Sequence, residues 1–164
     1  MAEMTTTNRK AEITAEPGKQ EITIRRVFDA PRELVFRAHL DADAIRQWWG
    51  PAKYKNIIDK LEARSGGAWR FVQADTDGSE YGFHGVFHDV TSPERIVQTF
   101  EFEGMPGHVS LETATFEEQD GKTLATFSSV FQSVEDRDGM LQSGMEGGMN
   151  EGFNRLDALL ESAK

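Results

Sequence analysis

Cysteine is absent from this chain. Its absence excludes a disulfide framework, thiolate metal ligands and a cysteine nucleophile. Basic residues are also scarce: 18 Lys and Arg against 28 Asp and Glu in 164 residues leave a net charge of −10. Such a balance provides no basic face for phosphates and is repelled by anionic lipid, so neither nucleic acid nor membrane is expected as a partner. No apolar run approaches the roughly 18 residues of a membrane span. The N-terminus lacks the charged start and apolar core of a secretion signal, which makes the cytoplasm the expected location. Several catalytic signatures are missing too. Gly121-Lys122-Thr123 has Phe116 where a P-loop needs its first glycine. Asp75-Thr76-Asp77-Gly78 lacks the flanking helices of a calcium loop. There is no Gly-x-Ser-x-Gly elbow and no Gly-x-Gly-x-x-Gly dinucleotide turn.

What is present reads as one globular domain. Hydrophobic residues make up 38% and aromatics 10%, enough for a core at this length. Residues Met1 to Gly18 are polar and read as a flexible tail, leaving residues 19–164 as the domain. Glu21–Phe28 alternates Ile22, Ile24, Arg26 and Phe28 with Thr23, Arg25 and Val27, the period of a strand. Pro31 and its flanking acids start a short helix that ends near Leu40, and a second covers Ala42–Trp48 before Gly50-Pro51. Six further strands follow: Asn56–Leu61, Ala68–Ala74, Tyr81–Val90, Arg95–Glu103, Val109–Phe116 and Thr123–Phe131, separated by turn residues. Gly66-Gly67 is the expected position of a bulge. Val134–Ser162 is helical, with a break near Ser143-Gly144. Short connections make the sheet an antiparallel meander, and a curved sheet around one long helix is an α+β helix-grip fold with a gap between the two.

The last helix is the most informative segment. Leu141, Met145, Met149, Phe153, Leu156 and Leu160 form one face. Beside it run Gly144, Gly148 and Gly152, with Gly147 adjacent. Each glycine costs a helix about 1 kcal/mol relative to alanine, so either something packs very closely there or the helix walls a cavity. Methionines mould to varied ligands, which favours the cavity. The aromatics Trp48, Trp49, Trp69, Phe71, Tyr81, Phe100 and Phe102 are candidates to line it together with His84, Met145, Met149 and Phe153. Adjacent Trp48 and Trp49 cannot point the same way; one is expected to seal the core and the other to sit at the cavity mouth.

Acid–base candidates are fewer. His84 and His88 share a predicted strand but lie about 13 Å apart, too far to chelate one ion, and no metal or cofactor is expected. An inward His84 would hydrogen-bond a ligand or act as a base. His39 at a helix end needs no function. Of Glu101, Glu103 and Glu112, whichever faces the cavity would have a raised pKa. Glu117-Glu118 is solvated.

Five segments carry a family likeness: Phe28-Asp29-Ala30-Pro31-Arg32-Glu33-Leu34-Val35-Phe36-Arg37-Ala38, Trp48-Trp49-Gly50-Pro51, Gly66-Gly67-Ala68-Trp69-Arg70-Phe71, Pro93-Glu94-Arg95-Ile96-Val97 and Gly144-Met145-Glu146-Gly147-Gly148-Met149-Asn150-Glu151. In this order and spacing they resemble homologues of the activator of the heat-shock-protein-90 ATPase, a branch of the START-like (SRPBCC) superfamily, over residues 20–162. The resemblance implies the helix-grip fold and a deep apolar cavity. It supplies no shared catalytic set, and it admits a homodimer. Superfamily members include lipid carriers, polyketide cyclases and ring-hydroxylase subunits. Three readings follow: a protein binding a small hydrophobic or aromatic ligand, a cyclase- or hydrolase-type enzyme using the same cavity, or a stand-alone chaperone-activator module.

Overall fold

The computed structural model describes residues 9–163. In chain order the elements are β1 (Glu12–Thr14), β2 (Glu21–Phe28), α1 (Arg32–Ala38), α2 (Ala42–Trp48), β3 (Lys55–Leu61), β4 (Ala68–Ala74), β5 (Glu80–Thr91), β6 (Arg95–Phe102), β7 (Val109–Gln119), β8 (Lys122–Val130), α3 (Val134–Gln142) and α4 (Met145–Ala163). One sheet of eight strands runs β1-β2-β8-β7-β6-β5-β4-β3, with every pair antiparallel. β3 to β8 form the expected meander. β2 then pairs with β8, so α1 and α2 carry the chain from one side of the sheet to its far edge. This is the α+β helix-grip fold, with α4 held in the concavity.

Two local expectations change. The segment read as a tail contains β1, whose Ile13 pairs with Ile24. Ala11 just before it is buried, and its N–H donates to Asn150 Oδ1 of α4 at 3.0 Å. The remainder of that expected tail, residues 1–8, lies outside the described residues. The bulges fall between Ile58 and Lys60 and between Phe87 and Asp89, whereas Gly66 and Gly67 sit in the β3–β4 loop, bonded through their backbone to Phe87. A loop that docks on a neighbouring strand needs no extra residue in its own ladder.

Capping explains the helix starts. Asp41 accepts from the Ala44 N–H at 3.0 Å and Ser133 from the Asp136 N–H at 3.0 Å, each satisfying an amide that the first turn leaves unpaired. The last helical region breaks where expected. Ser143 closes α3, and Gly144 follows at φ +86°, a left-handed conformation that glycine adopts without strain, before α4 begins.

α4 is fixed by polar contacts as much as by its apolar face. Arg26 points inward from β2 and is fully enclosed; its Nη1 lies 2.7 Å from Asp157 Oδ2 of α4. Its Nη2 donates to Asn154 Oδ1 at 2.9 Å, and its guanidinium lies 4.7 Å from the Phe28 ring centre. Arg137 of α3, also buried, donates to the Glu21 carbonyl at 3.0 Å. Between these anchors α4 meets the end of α2 at very short range. A Cβ on Gly152 would sit 3.0 Å from the Trp48 carbonyl oxygen and 3.1 Å from the Gly50 nitrogen; one on Gly148 would sit 3.2 Å from the Pro51 ring. Arg155 donates to the Gly50 carbonyl at 3.0 Å, and Glu151 accepts from the Ala52 N–H at 2.7 Å. Close packing therefore accounts for Gly148 and Gly152 and a turn for Gly144, while Gly147 has open space around it.

Two measurements check this account. Asp157→Ala leaves Arg26 buried without a counter-charge and is expected to lose about 3–5 kcal/mol in urea unfolding; pairing Arg26→Met with Asp157→Leu recovers most of it. Gly152→Ala is expected to lose about 1–3 kcal/mol through overpacking, whereas Gly147→Ala gains up to about 1 kcal/mol from helix propensity; equal effects at the two sites would remove the close-approach explanation.

Candidate functional site

The inner face of the sheet follows from the registers. β7 presents Ser110, Glu112, Ala114 and Phe116; β8 presents Ser129, Phe127 and Ala125 opposite the last three. β6 adds Phe100 opposite Ser110 and Gln98 opposite Glu112, and Phe102 beside Phe83 of β5. Burial along this face is uneven. Phe28, Val35, Phe116 and Leu156 at the α1 end are at most 1% exposed. Phe83, Gln98, Phe100, Phe102, Glu112, Ala114 and Phe127 are only partly buried, although each lies on the concave side of central strands. Residues there would be sealed if the helices packed solidly against them. α4 makes its closest backbone approach to α2, and its Met145 and Met149 are partly buried against the core. Burial is thus complete at the α1 end and incomplete along β5–β7.

The expected lining residues separate into groups. Trp48 is core: its indole N–H donates to the Ala38 carbonyl at 2.9 Å and its ring stacks on Phe153. Trp49 turns the other way, edge-on to Phe71 and Phe83 at 5.2 and 5.3 Å. Trp69 and Phe71 are buried behind them, with Phe100 6.0 Å from Trp69 and 5.5 Å from Phe83. Tyr81, 37% exposed, sits at the rim between Tyr54 and Phe102. Trp49, Phe71, Phe83, Phe100 and Phe102 therefore form one aromatic wall, with Met145, Met149 and Phe153 on the helix side.

His84 does not belong to it. An inward His84 is corrected by the register: it pairs with Glu101 and Arg70, on the convex face. There its Nδ1 lies 2.9 Å from Glu103 and its Nε2 3.4 Å from Glu101. Arg70 donates twice to Glu103 at 2.8 Å, and this bond, then the one from His84, holds the Glu103 carboxyl down at about 2. The network borders a shallow concavity of about 440 Å³ that also includes Val86 and Thr99. His88 lies in the bulge after Phe87 and is exposed, so it shares no site with His84.

Of the three candidate glutamates, Glu112 is the one that faces inward. Its carboxylate accepts from Ser110 Oγ at 2.5 Å and from Ser129 Oγ at 2.7 Å. Burial pushes its pKa up, and the two hydroxyls only partly offset this. Phe83, Phe127, Gln98 and the two serines were not legible as site residues. Their common parity with Phe100 was the available signal, but the absolute face of each strand was open. Another titratable group inside is His39, ringed by Trp48, Phe116 and Phe127. Its Nδ1 is 2.8 Å from the Val35 carbonyl, and Nε2 has no partner among the described residues. Burial lowers its pKa to about 4.

The family described as "Activator of Hsp90 ATPase homolog 1-like protein" matches residues 29–161. The chain belongs to this family. Solved structures agree with that placement within the START-like superfamily. Protein Ms6760 from Mycobacterium smegmatis is 25% identical, with a TM-score of 0.82 over 91% of this chain and 95% of its own. A protein from Arthrobacter aurescens is 25% identical, with a TM-score of 0.83 over 92% and 91%. A protein from Rhodobacter sphaeroides shares the fold, with a TM-score of 0.86 over 94% and 99% at 22% identity. No curated protein shows a significant match. The family placement supports a cavity-type binding domain. Among the described residues, no helix is long and apolar enough to cross a membrane.

His39 provides a pH test. Its folded pKa of about 4 lies below the ordinary imidazole value of 6.5, so the unfolded chain takes up a proton first as pH falls. Stability is therefore full above about 6.5 and declines toward about 4, by about 3 kcal/mol in total. Urea unfolding between pH 7 and 4.5 is expected to show this slope, and His39→Phe to flatten it.

Proposed function

We propose that this family member binds a small hydrophobic or aromatic molecule between the concave face of the sheet and α4. The carrying observation is that Phe83, Phe100 and Phe127 stay partly accessible in the middle of the inner face while the α1 end is sealed. An apolar recess with few polar groups is the usual form of a small-molecule site. Trp49 at its edge and the flexible Met145 and Met149 suit a variable occupant. The position of His84 on the convex face leaves Glu112 as the inward acid–base group, so an enzymatic reading would rest on Glu112.

The test is a titration with the neutral fluorophore N-phenylnaphthylamine. Saturable enhancement at one site per chain is expected. Ala114→Phe, which fills the recess from the floor of β7, is expected to weaken binding by about tenfold, or about 1.4 kcal/mol, with the melting temperature retained. Absence of saturable enhancement with the unaltered protein would overturn the proposal.

A further inference from the structure

Glu112 is anomalous among the inward-facing charges. Arg26 has Asp157, and Arg137 has the Glu21 carbonyl and Asp138. Glu112 has two serine hydroxyls, and among the described residues no charged group acts on it. A purely structural position would hold a glutamine more cheaply, because an enclosed carboxylate without a cation is unfavourable. Each carboxylate oxygen accepts one hydroxyl, and the lone pairs that remain can only accept. An anionic group is repelled there, and a bare carbonyl finds no donor on Glu112 itself. Gln98, directly across the ladder on the same face, has a partly accessible side chain with no hydrogen-bond partner among the described residues. Phe100 and Phe127 are diagonal neighbours on the same face, each two residues along its strand from the Glu112 row, and aromatic ring faces attract cations.

We infer that Glu112 is the counter-ion for a basic nitrogen, so that the recess takes an apolar, aromatic-sized molecule carrying an ammonium group. An ammonium brings donors for the free carboxylate lone pairs and for the Gln98 carbonyl, while its hydrocarbon part lies along Phe83, Phe100 and Met149. Burial of the pair away from water strengthens the attraction, and the protein's net charge of −10 favours the approach of a cation. The inference rests on the apolar recess proposed above and specifies its occupant.

The experiment displaces N-phenylnaphthylamine with two probes of similar shape: naphthylmethylamine, cationic at neutral pH, and neutral ethylnaphthalene. The unaltered protein is expected to prefer the amine by about tenfold, equivalent to about 1.4 kcal/mol. In Glu112→Gln the preference should fall to about one while fluorophore affinity holds within about twofold, which also shows that the variant is folded. Binding of the fluorophore with no amine preference, or with a preference that survives Glu112→Gln, overturns the counter-ion assignment and leaves the apolar site standing. Failure of the fluorophore to bind overturns both.

Discussion

The Arg26–Asp157 ion pair is the constraint from which the rest of the architecture follows. It joins an inward side chain of β2 to the middle of α4 in the enclosed interior, where neither partner can be solvated in its absence. Apolar packing alone would tolerate a helix that slides or rotates; a buried charge pair with Asn154 as a further acceptor tolerates little of either. α4 is thereby pinned to β2 and clamped on α2 through Gly148 and Gly152.

Polarity inside follows the same division as burial. At the α1 end enclosed polar groups bond within the packing: the Trp48 indole N–H donates to Ala38, Asn56 donates to the Trp49 carbonyl, and His39 donates to Val35 as a neutral ring. Toward β6 and β7 the polar groups serve no such purpose. Glu112, Ser110 and Ser129 form a patch on an otherwise apolar floor, and Gln98 faces it with unused hydrogen-bonding capacity. These are the polar atoms that the proposed ligand would meet.

The two faces of the sheet also divide the charge. The convex face carries Arg70, Glu103, His84, Glu101 and Asp59 as a solvated network, in which ion pairs contribute little to stability. Among the described residues, Glu112 on the concave face has no charged group acting on it. A charge that is ordinary on one side of a strand is therefore exceptional on the other, and the difference between Glu101 and Glu112 is one of strand parity.

The sequence by itself determined the order of elements from β2 onward, the helix-grip class, the break at Gly144 and the parity within each of those strands. These depend on local periodicity, caps and turn residues, which act over a few positions. It also marked α4 as unusual through its glycines and methionines. Only the tertiary structure decided which parity faces inward, because strand alternation has two equivalent phases and the bulges near Asp59 and His88 interrupt it. That choice moved His84 out of the interior and placed Glu112 inside it. It likewise decided that Gly148 and Gly152 serve a helix contact with Trp48–Pro51, residues about one hundred positions distant in the chain, a proximity that no local pattern encodes.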